Sequence, residues 1–327
     1  MKIGIIDSVR HSYVATPDIE VRAWSDIAEV ILFRVAAADD LPAAVAECDG
    51  ILSWHLVPLD ASAITRLKRC RGIVRAAVGF DNIDLVAAAA QGIQVANVPD
   101  YGTEEVADHT LALSLSMLRR IPQSDRLVRR GCWDWREVGP LPRLRDFRVG
   151  LLGCGRIGTA VASRFKAFGS RVSFFDPYVP SGWEKALGIS RCETLNELIE
   201  SVDLLSVHAP LSSETRHLIG AAELAMMYGK FLVNTARGPI IDSLALADAA
   251  GRLAGIALDV FEDESQTPPS PLDAHDRLLW SPHVAFYSER ALPELREKAA
   301  ICLRSILTEG THRNVIRPPV QRPHQAP

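Results

Sequence analysis

A chain of 327 residues is too long for one ordinary hydrophobic core and predicts about two domains. With 48% hydrophobic and 23% charged residues it falls in the globular range, which excludes disorder through the body of the chain, and a net charge of −4 gives no electrostatic basis for nucleic acid or an anionic membrane as partner. Six scattered cysteines (Cys48, Cys70, Cys132, Cys154, Cys192 and Cys302), with no Cys-x-x-Cys pair, exclude a zinc ribbon or a disulfide framework, so no metal is expected and a reducing cytoplasm is.

The N-terminal MKIGIIDSVR has no charged leader ahead of a sustained apolar block, and no uncharged apolar stretch reaches about 18 residues, so neither export nor a membrane span is expected. From Lys2 to Pro99, β-type runs (KIGII, GILSWH, GIVRAAV, IQVANV) alternate with Ala-rich helical stretches such as LPAAVAEC and ASAITRLKR. Such alternation predicts βα units on a parallel sheet. Acidic residues at the start and arginines at the end of YGTEEVADHTLALSLSMLRR suit a helix dipole, which predicts one long helix over Thr103 to Arg120. A polar, Trp- and Pro-bearing connection, Gly131 to Arg145, leads to a second alternating series that begins at Val149 and runs through RVSFFDPY, VDLLSVHAP, KFLVNTARG, AGIALDV and LLWSPHVAF. TLNE at Thr194 to Glu197 reads as a capping box, Ser288 to Glu309 as a helix, and the tail THRNVIRPPVQRPHQAP as a fraying end. No repeat of solenoid period is present.

The second series opens on VGLLGCGRIG, an apolar strand running into Gly-x-Gly-x-x-Gly. In a dinucleotide fold Gly153 allows the tight turn, Gly155 lets the backbone approach a pyrophosphate, and Gly158 lets the helix pack closely on the strand. The amides at the helix start, around Arg156 and Ile157, then face the phosphates. A bare glycine pattern of this kind is common in ordinary turns. Here it is preceded by a strand and followed by an amphipathic helix, and Asp176 ends the next strand 21 residues beyond Gly155. A carboxylate there accepts from the adenosine ribose hydroxyls and repels a 2′-phosphate, and Pro177 and Tyr178 offer no cation, so NAD is favoured over NADP.

Reduction of a carbonyl by hydride needs a proton donor and a clamp for any carboxylate, and ligands gather at the carboxyl ends of the strands. In the second series Arg237, Asp259 with Glu264, and His283 follow three different strands. Each alone reads most simply as a surface ion pair, a solvated acidic loop or a structural histidine. Their joint occurrence behind a dinucleotide loop favours chemistry.

VGFDNID (Val78 to Asp84), NVPDYGTEEVADHTLAL (Asn97 to Leu113), GLLGCGRIG, LVNTARG (Leu232 to Gly238), ALDVFEDE (Ala257 to Glu264) and SPHVAFYSERA (Ser281 to Ala291) together resemble the D-isomer-specific 2-hydroxyacid dehydrogenases, in the right order, from about Gly50 to Leu307. SPHVAFYSERA with FFDPY looks most like the branch that contains the C-terminal binding protein corepressors. The resemblance implies two doubly wound α/β parallel-sheet domains, a Rossmann NAD-binding domain (100–288) inserted into a discontinuous flavodoxin-like substrate domain (1–99 and 289–327), with the substrate held in the cleft between them. It implies that Arg237 binds a 2-oxo acid, that His283 is the general acid and base with Glu264 as carboxylate partner, and that Asp259 receives the nicotinamide carboxamide. Backbone amides near Ala77, Val78 and Gly79 match the substrate carboxylate loop, Thr103 and Val106 match cofactor-facing positions, and Pro210 matches a turn lining the cofactor crevice. A homodimer through the Thr103–Arg145 region is implied as well.

The chain departs from the family pattern at Ser265, where proline is common after the acidic residue, and at Asp146, where glycine is usual. Phe286 and Tyr287 stand where many members have glycines, so Phe286 is expected to line the substrate site. His55, His109 and His208 read as structural. The favoured function is an NAD-dependent dehydrogenase interconverting a 2-oxo acid and a D-2-hydroxy acid. The alternative is a corepressor-like binding protein that senses NAD(H) with little turnover; the chain lacks the long disordered flanks or basic patch of such a scaffold. Oxidation of formate or phosphite is disfavoured, because formate dehydrogenases of this superfamily pair the histidine with glutamine and Glu264 is not one.

Overall fold

The computed structural model describes residues 1–264 and 277–316; Ser265 and the chain beyond residue 316 lie outside the described residues. The chain divides into two compact units, Met1–Gly102 with Ser288–Pro327, and Thr103–Tyr287.

The first unit is built on five parallel strands, β1 Lys2–Ser8, β2 Glu29–Val35, β3 Gly50–Ser53, β4 Gly72–Arg75 and β5 Gln94–Asn97, in the order β2-β1-β3-β4-β5. This is the flavodoxin-like doubly wound order. The three central strands are buried almost throughout, as near-continuous apolar runs covered on both faces must be. β2 is missing from the strands read in the sequence: EVILFRV is an edge strand with charges at Glu29 and Arg34 and only partial burial, so its apolar signal is diluted. LPAAVAEC closes as a 3₁₀ turn over Ala43–Glu47, with Pro42 as its N-cap, rather than as an α-helix.

The last helix spans Ala291–Glu309, starting three residues later than Ser288 because the Ser288 hydroxyl instead accepts the Ala291 amide at 2.9 Å. It packs on the helix Asp18–Trp24. There Arg296 forks onto the fully buried Glu20 carboxylate at 2.8 and 2.7 Å, and the Trp24 indole donates to the Ala300 carbonyl at 2.9 Å. These bonds tie the returning C-terminal helix to the N-terminal part of its own unit.

The second unit carries seven parallel strands, β6 Arg148–Leu152, β7 Arg171–Phe175, β8 Ser190–Arg191, β9 Leu204–Val207, β10 Phe231–Asn234, β11 Gly255–Leu258 and β12 Leu278–Trp280, ordered β12-β11-β10-β9-β6-β7-β8. Counted from β6, the order is 3-2-1-4-5-6 with a seventh strand beyond, the Rossmann arrangement, and its switch point lies between β6 and β9. One apolar cluster (Leu198, Leu205, Ile240 and Ile256 among others) and a second (Leu113, Val149, Phe165 and Phe174 among others) form its core.

The long helix expected over Thr103–Arg120 ends at Leu118. Arg120 takes a left-handed φ of 51° and donates from Nη1 to the Val138 carbonyl at 2.8 Å. A second helix, Ile121–Arg129, follows with Pro122 in its first turn, where a missing N–H costs nothing. Thr194 caps Leu195–Ser201 through its hydroxyl, 3.1 Å from the Glu197 amide. The capping box is incomplete, however: the Glu197 carboxylate accepts from the Glu193 amide at 2.8 Å rather than from Thr194, since the extended Thr194 backbone (φ −135°, ψ 158°) presents the preceding N–H. Among the described residues no helix is long and apolar enough to cross a membrane.

Candidate active site

The turn from β6 into the helix Arg156–Ala167 is made by glycines for steric reasons. Gly153 has φ +94°, and a Cβ there would meet the His208 carbonyl at 2.9 Å; a Cβ on Gly158 would stand 2.3 Å from the Gly153 oxygen. Gly155 is the N-cap, bonds no side chain to the first turn, and faces open space. The helix thus begins with its Arg156 and Ile157 amides uncapped by any side chain and with room before them, the geometry that takes a phosphate. These residues fit a dinucleotide pyrophosphate.

Asp176, just past β7, shapes the same turn: its carboxylate accepts from the Cys154 amide at 2.9 Å and from the Tyr178 and Val179 amides at 2.9 and 3.3 Å. Arg191, which donates to the Asp176 carbonyl at 3.2 Å, is committed to the Glu184 carboxylate and to the carbonyls of Val179 and Pro180. Across the switch point, burial of the His208 ring disfavours its charged form and pushes it down to about 3; its Nε2 lies 2.8 Å from the Ser206 hydroxyl. Pro210 is exposed and its carbonyl takes the Thr215 hydroxyl at 2.6 Å. Thr103 begins its helix half-buried, while Val106 is buried and its carbonyl accepts the Thr110 hydroxyl at 2.7 Å.

At the ends of β10, β11 and β12 the unit assembles its charged residues. Asn234, fully buried, accepts from the Ala236 amide and donates to the Arg237 carbonyl, both at 2.9 Å, and so shapes the turn that carries Arg237. Arg237 is half-buried and donates from Nη1 to the Ala236 carbonyl at 2.7 Å. Asp259, almost wholly buried, accepts from the Ser281 hydroxyl at 2.5 Å and from the Val284 and Ala285 amides at 3.0 and 2.9 Å. His109 completes this cluster, its Nε2 2.9 Å from the Ser281 hydroxyl and 3.5 Å from Asp259. Asp259 therefore spends most of its acceptor capacity on the loop that presents His283.

His283 has a left-handed φ of 50°, uncommon for a non-glycine residue and a mark of a surrounding structure that over-determines it. Its amide donates to the Asp259 carbonyl at 2.8 Å, and its Nδ1 lies 2.7 Å from Glu264 Oε2. Pairing Nδ1 with the carboxylate leaves Nε2 as the other ring nitrogen. Phe286 meets the imidazole edge-on, ring centres 6.1 Å apart, while Tyr287 is exposed. The structure thus brings Glu264, His283 and Phe286 together.

A neighbouring set of contacts, silent in the sequence, locks the Arg237 and Glu264 segments to each other. A Cβ on Gly238 would fall 1.9 Å from the Phe261 carbonyl oxygen, so the two turns touch backbone to backbone. Glu262 accepts from His217 Nε2 at 2.7 Å and from the Ser243 amide at 3.3 Å, with Arg216 at 3.5 Å. Burial alone would raise its carboxyl, but these donors outweigh it and hold the group below the usual carboxylate range. In the run FEDE nothing separates Glu262 from its acidic neighbours; the glycine directly after Arg237 was the one available sign.

In the first unit, the loop after β4 holds Ala77, Val78 and Gly79. The Ala77 amide is spent on the Arg75 carbonyl at 2.8 Å, which corrects the expectation of three available donors. The Val78 carbonyl takes the Asn97 side-chain amide at 2.6 Å, and the loop's remaining donors are the Val78 and Gly79 amides. Among the described residues no group of three His, Cys, Asp or Glu side chains could hold a metal ion.

Seven parallel strands wound in this order, with an uncapped helix start at the switch point, define a dinucleotide-binding domain of the oxidoreductase type. Residues 111–285 match the D-isomer specific 2-hydroxyacid dehydrogenase NAD binding domain. The chain is 38% identical over 86% of its length to a glyoxylate reductase of Korarchaeum cryptofilum, 84% of which is covered. Two solved structures are similar throughout: an Aquifex aeolicus D-lactate dehydrogenase complexed with NAD and lactic acid (26% identity, TM-score 0.83, 94% of this chain and 98% of that one), and an NADPH-dependent glyoxylate/hydroxypyruvate reductase of Sinorhizobium meliloti with NADP and malonate (30%, TM-score 0.84, 96% of each). The chain belongs to the D-isomer specific 2-hydroxyacid dehydrogenase family and is a nicotinamide-dependent oxidoreductase.

Proposed function

We infer that the protein reduces a 2-oxo acid to the corresponding D-2-hydroxy acid, or catalyses the reverse, with His283 as the proton carrier. The carrying observation is the 2.7 Å pair between His283 Nδ1 and Glu264 on a backbone fixed by Asp259. When bound, reduced NAD supplies the hydride. His283 Nε2 delivers the accompanying proton to the carbonyl oxygen and takes it back in the reverse direction, and Glu264 steadies the imidazolium form. Arg237 offers a planar fork to the acid's carboxylate. Phe286 supplies an apolar wall beside the imidazole.

In this assignment residues 1–99 with 289–327 form the substrate domain and 100–288 the NAD-binding domain. Gly153, Gly155, Arg156, Ile157 and Gly158 take the pyrophosphate, Thr103, Val106, Pro210 and Asp259 border the nicotinamide half, and Asp176 takes the ribose. NAD is favoured over NADP because Asp176 is anionic and the adjacent guanidinium, Arg191, is already bound to Glu184 and three carbonyls. All six cysteines are thiols, which suits the cytoplasm. A homodimer through Thr103–Arg145 is supported by Ile121, Val128, Trp133 and Trp135, all exposed, the last two at 88% and 82%; surfaces of this kind mark association sites.

The test is oxidation of NADH in the presence of a panel of 2-oxo acids. Robust turnover of any member supports the reading. NADH binding without turnover of any of them would favour the NAD(H)-sensing binding protein, for which an aligned imidazole–carboxylate pair has no use.

A further inference from the structure

In the second unit three connections meet at one carboxylate. The segment that follows β9 runs alongside the one that follows β10: the His217 amide donates to the Pro239 carbonyl at 2.8 Å, the Ile219 amide to the Ile240 carbonyl at 3.1 Å and the Asp242 amide to the Ile219 carbonyl at 3.1 Å. The segment that follows β11 reaches both through Glu262, which accepts from His217 Nε2 at 2.7 Å and from the Ser243 amide at 3.3 Å. Asp242 caps the helix Ser243–Ala249 through the Leu244 and Ala245 amides, which leaves the Ser243 amide to Glu262.

His217 holds a left-handed φ of 52°. In a residue other than glycine that conformation costs energy and persists only where the surroundings over-determine it. Here the bond from its amide to Pro239 and the bond from its ring to Glu262 do so. The two side chains are 39% and 26% exposed, and an ion pair this wet adds little to stability. Its effect is on position.

What it positions lies on either side. Glu264, two residues beyond Glu262, meets His283 Nδ1 at 2.7 Å, so one short loop carries both the anchor and the imidazole's partner. A Cβ on Gly238 would stand 2.0 Å from the Phe261 carbonyl carbon and 2.4 Å from the Glu262 nitrogen, so the turn that carries Arg237 bears directly on the same loop. Phe261 is seated edge-on against Trp280, ring centres 5.7 Å apart. A displacement of Glu262 is therefore passed to Glu264 along the chain and to Arg237 through Gly238.

We propose that His217 and Glu262 are positioning residues for the reaction: their contact sets the spacing between the turn bearing Arg237 and the loop bearing Glu264, and so the aim of the carboxylate clamp relative to the His283–Glu264 pair. The proposal rests on the roles inferred above for Arg237, Glu264 and His283. In it neither His217 nor Glu262 touches the substrate.

The experiment is steady-state NADH oxidation with glyoxylate, pyruvate and phenylpyruvate by the wild type, Glu262→Ala, Glu262→Gln, His217→Asn and the double variant Glu262→Ala/His217→Asn, on whichever acid the wild type turns over fastest. Asparagine tolerates the left-handed backbone, so His217→Asn keeps the fold while withdrawing the ring. Rates are referred to the concentration of NADH-binding sites from fluorescence titration, which removes any contribution from unfolded protein. Glu262→Ala and His217→Asn should each lower kcat/KM for the acid by about 10- to 100-fold, the loss that follows from misplacing a reacting group by up to ~1 Å, with the Kd for NADH unchanged. Glu262→Gln, which keeps an acceptor oxygen for His217, should lose less. The double variant should be no worse than the poorer single one, because the two residues act through one contact. Values within about threefold of the wild type for both single variants, losses that multiply in the double variant, or NADH affinity that falls in step with kcat/KM overturn the positioning role and leave the proposed function standing. A wild type that turns over none of these acids, nor any of the wider panel, overturns both.

Discussion

His283 is the residue on which the proposed chemistry turns. Its imidazole is paired on Nδ1 with Glu264, and its left-handed backbone is strain that the Asp259 contacts hold in place. Replacing His283 by alanine removes the proposed proton carrier and leaves the glycine turn and Asp176 intact. Turnover should fall by about 100-fold or more while fluorescence titration shows NADH binding close to that of the wild type. Gly238 makes a different kind of demand. With a Cβ only 1.9 Å from the Phe261 carbonyl oxygen, Gly238→Ala must push apart the turns bearing Arg237 and Glu264, at a cost of about 1–3 kcal/mol. Displacements near 1 Å at a reacting centre reduce rates by about 100-fold; the expected outcome is a larger loss in kcat than the modest fall in Tm would suggest, measured on the same preparation.

At the scale of elements, the strand–glycine–helix turn over residues 148–167 is the proposed seat of the cofactor's pyrophosphate. Gly158 touches the Gly153 carbonyl, so Gly158→Val must lift the helix off its strand. The thermal shift given by NADH, which for a ligand at 100 times its Kd corresponds to about 2.7 kcal/mol, should then disappear. The end of β7 is where the proposal places the choice of dinucleotide. Asp176→Ala should narrow the difference in kcat/KM between NADH and NADPH, and a wild type that prefers NADPH would contradict the reading of Arg191 as already occupied. The broken helix after Leu118 shows how element boundaries escape a periodic pattern. Apolar spacing continues past Arg119, but Arg120 leaves the helical region to reach the Val138 carbonyl, a partner 18 residues away.

For the molecule as a whole, burial of titratable groups sets the acid side of stability. His208 is pushed down to about 3 in the folded state from about 6.5 when unfolded. The unfolded chain therefore takes up that proton first, and the stabilising contribution, complete above pH 6.5, drains away as pH falls from there toward 3. Tm should drop between pH 7.5 and 5.5. His208→Asn should remove part of the drop and leave a remainder from His312, whose ring burial also lowers. A Tm profile unchanged by the substitution would show that burial does not hold His208 neutral in the folded state.

The sequence by itself determined the two series of parallel strands, the glycine turn with Asp176, and the chain positions of Arg237, Glu264 and His283. Each of these is set by local requirements: strand burial on both faces, φ angles and spaces that only glycine meets, and residue types at strand ends. It did not reveal the edge strand β2, whose half-exposed pattern carries little periodic signal, or the incomplete capping box, where two amides competed for one carboxylate. Tertiary structure alone decided that Asp259 spends its acceptors on the His283 loop, that Glu262 rather than its acidic neighbours meets His217, and that Tyr13 stacks on Trp54 beside His55. These are contacts between segments distant in sequence. Their energies depend on distances and on exclusion of water, and neither exists until the chain has folded.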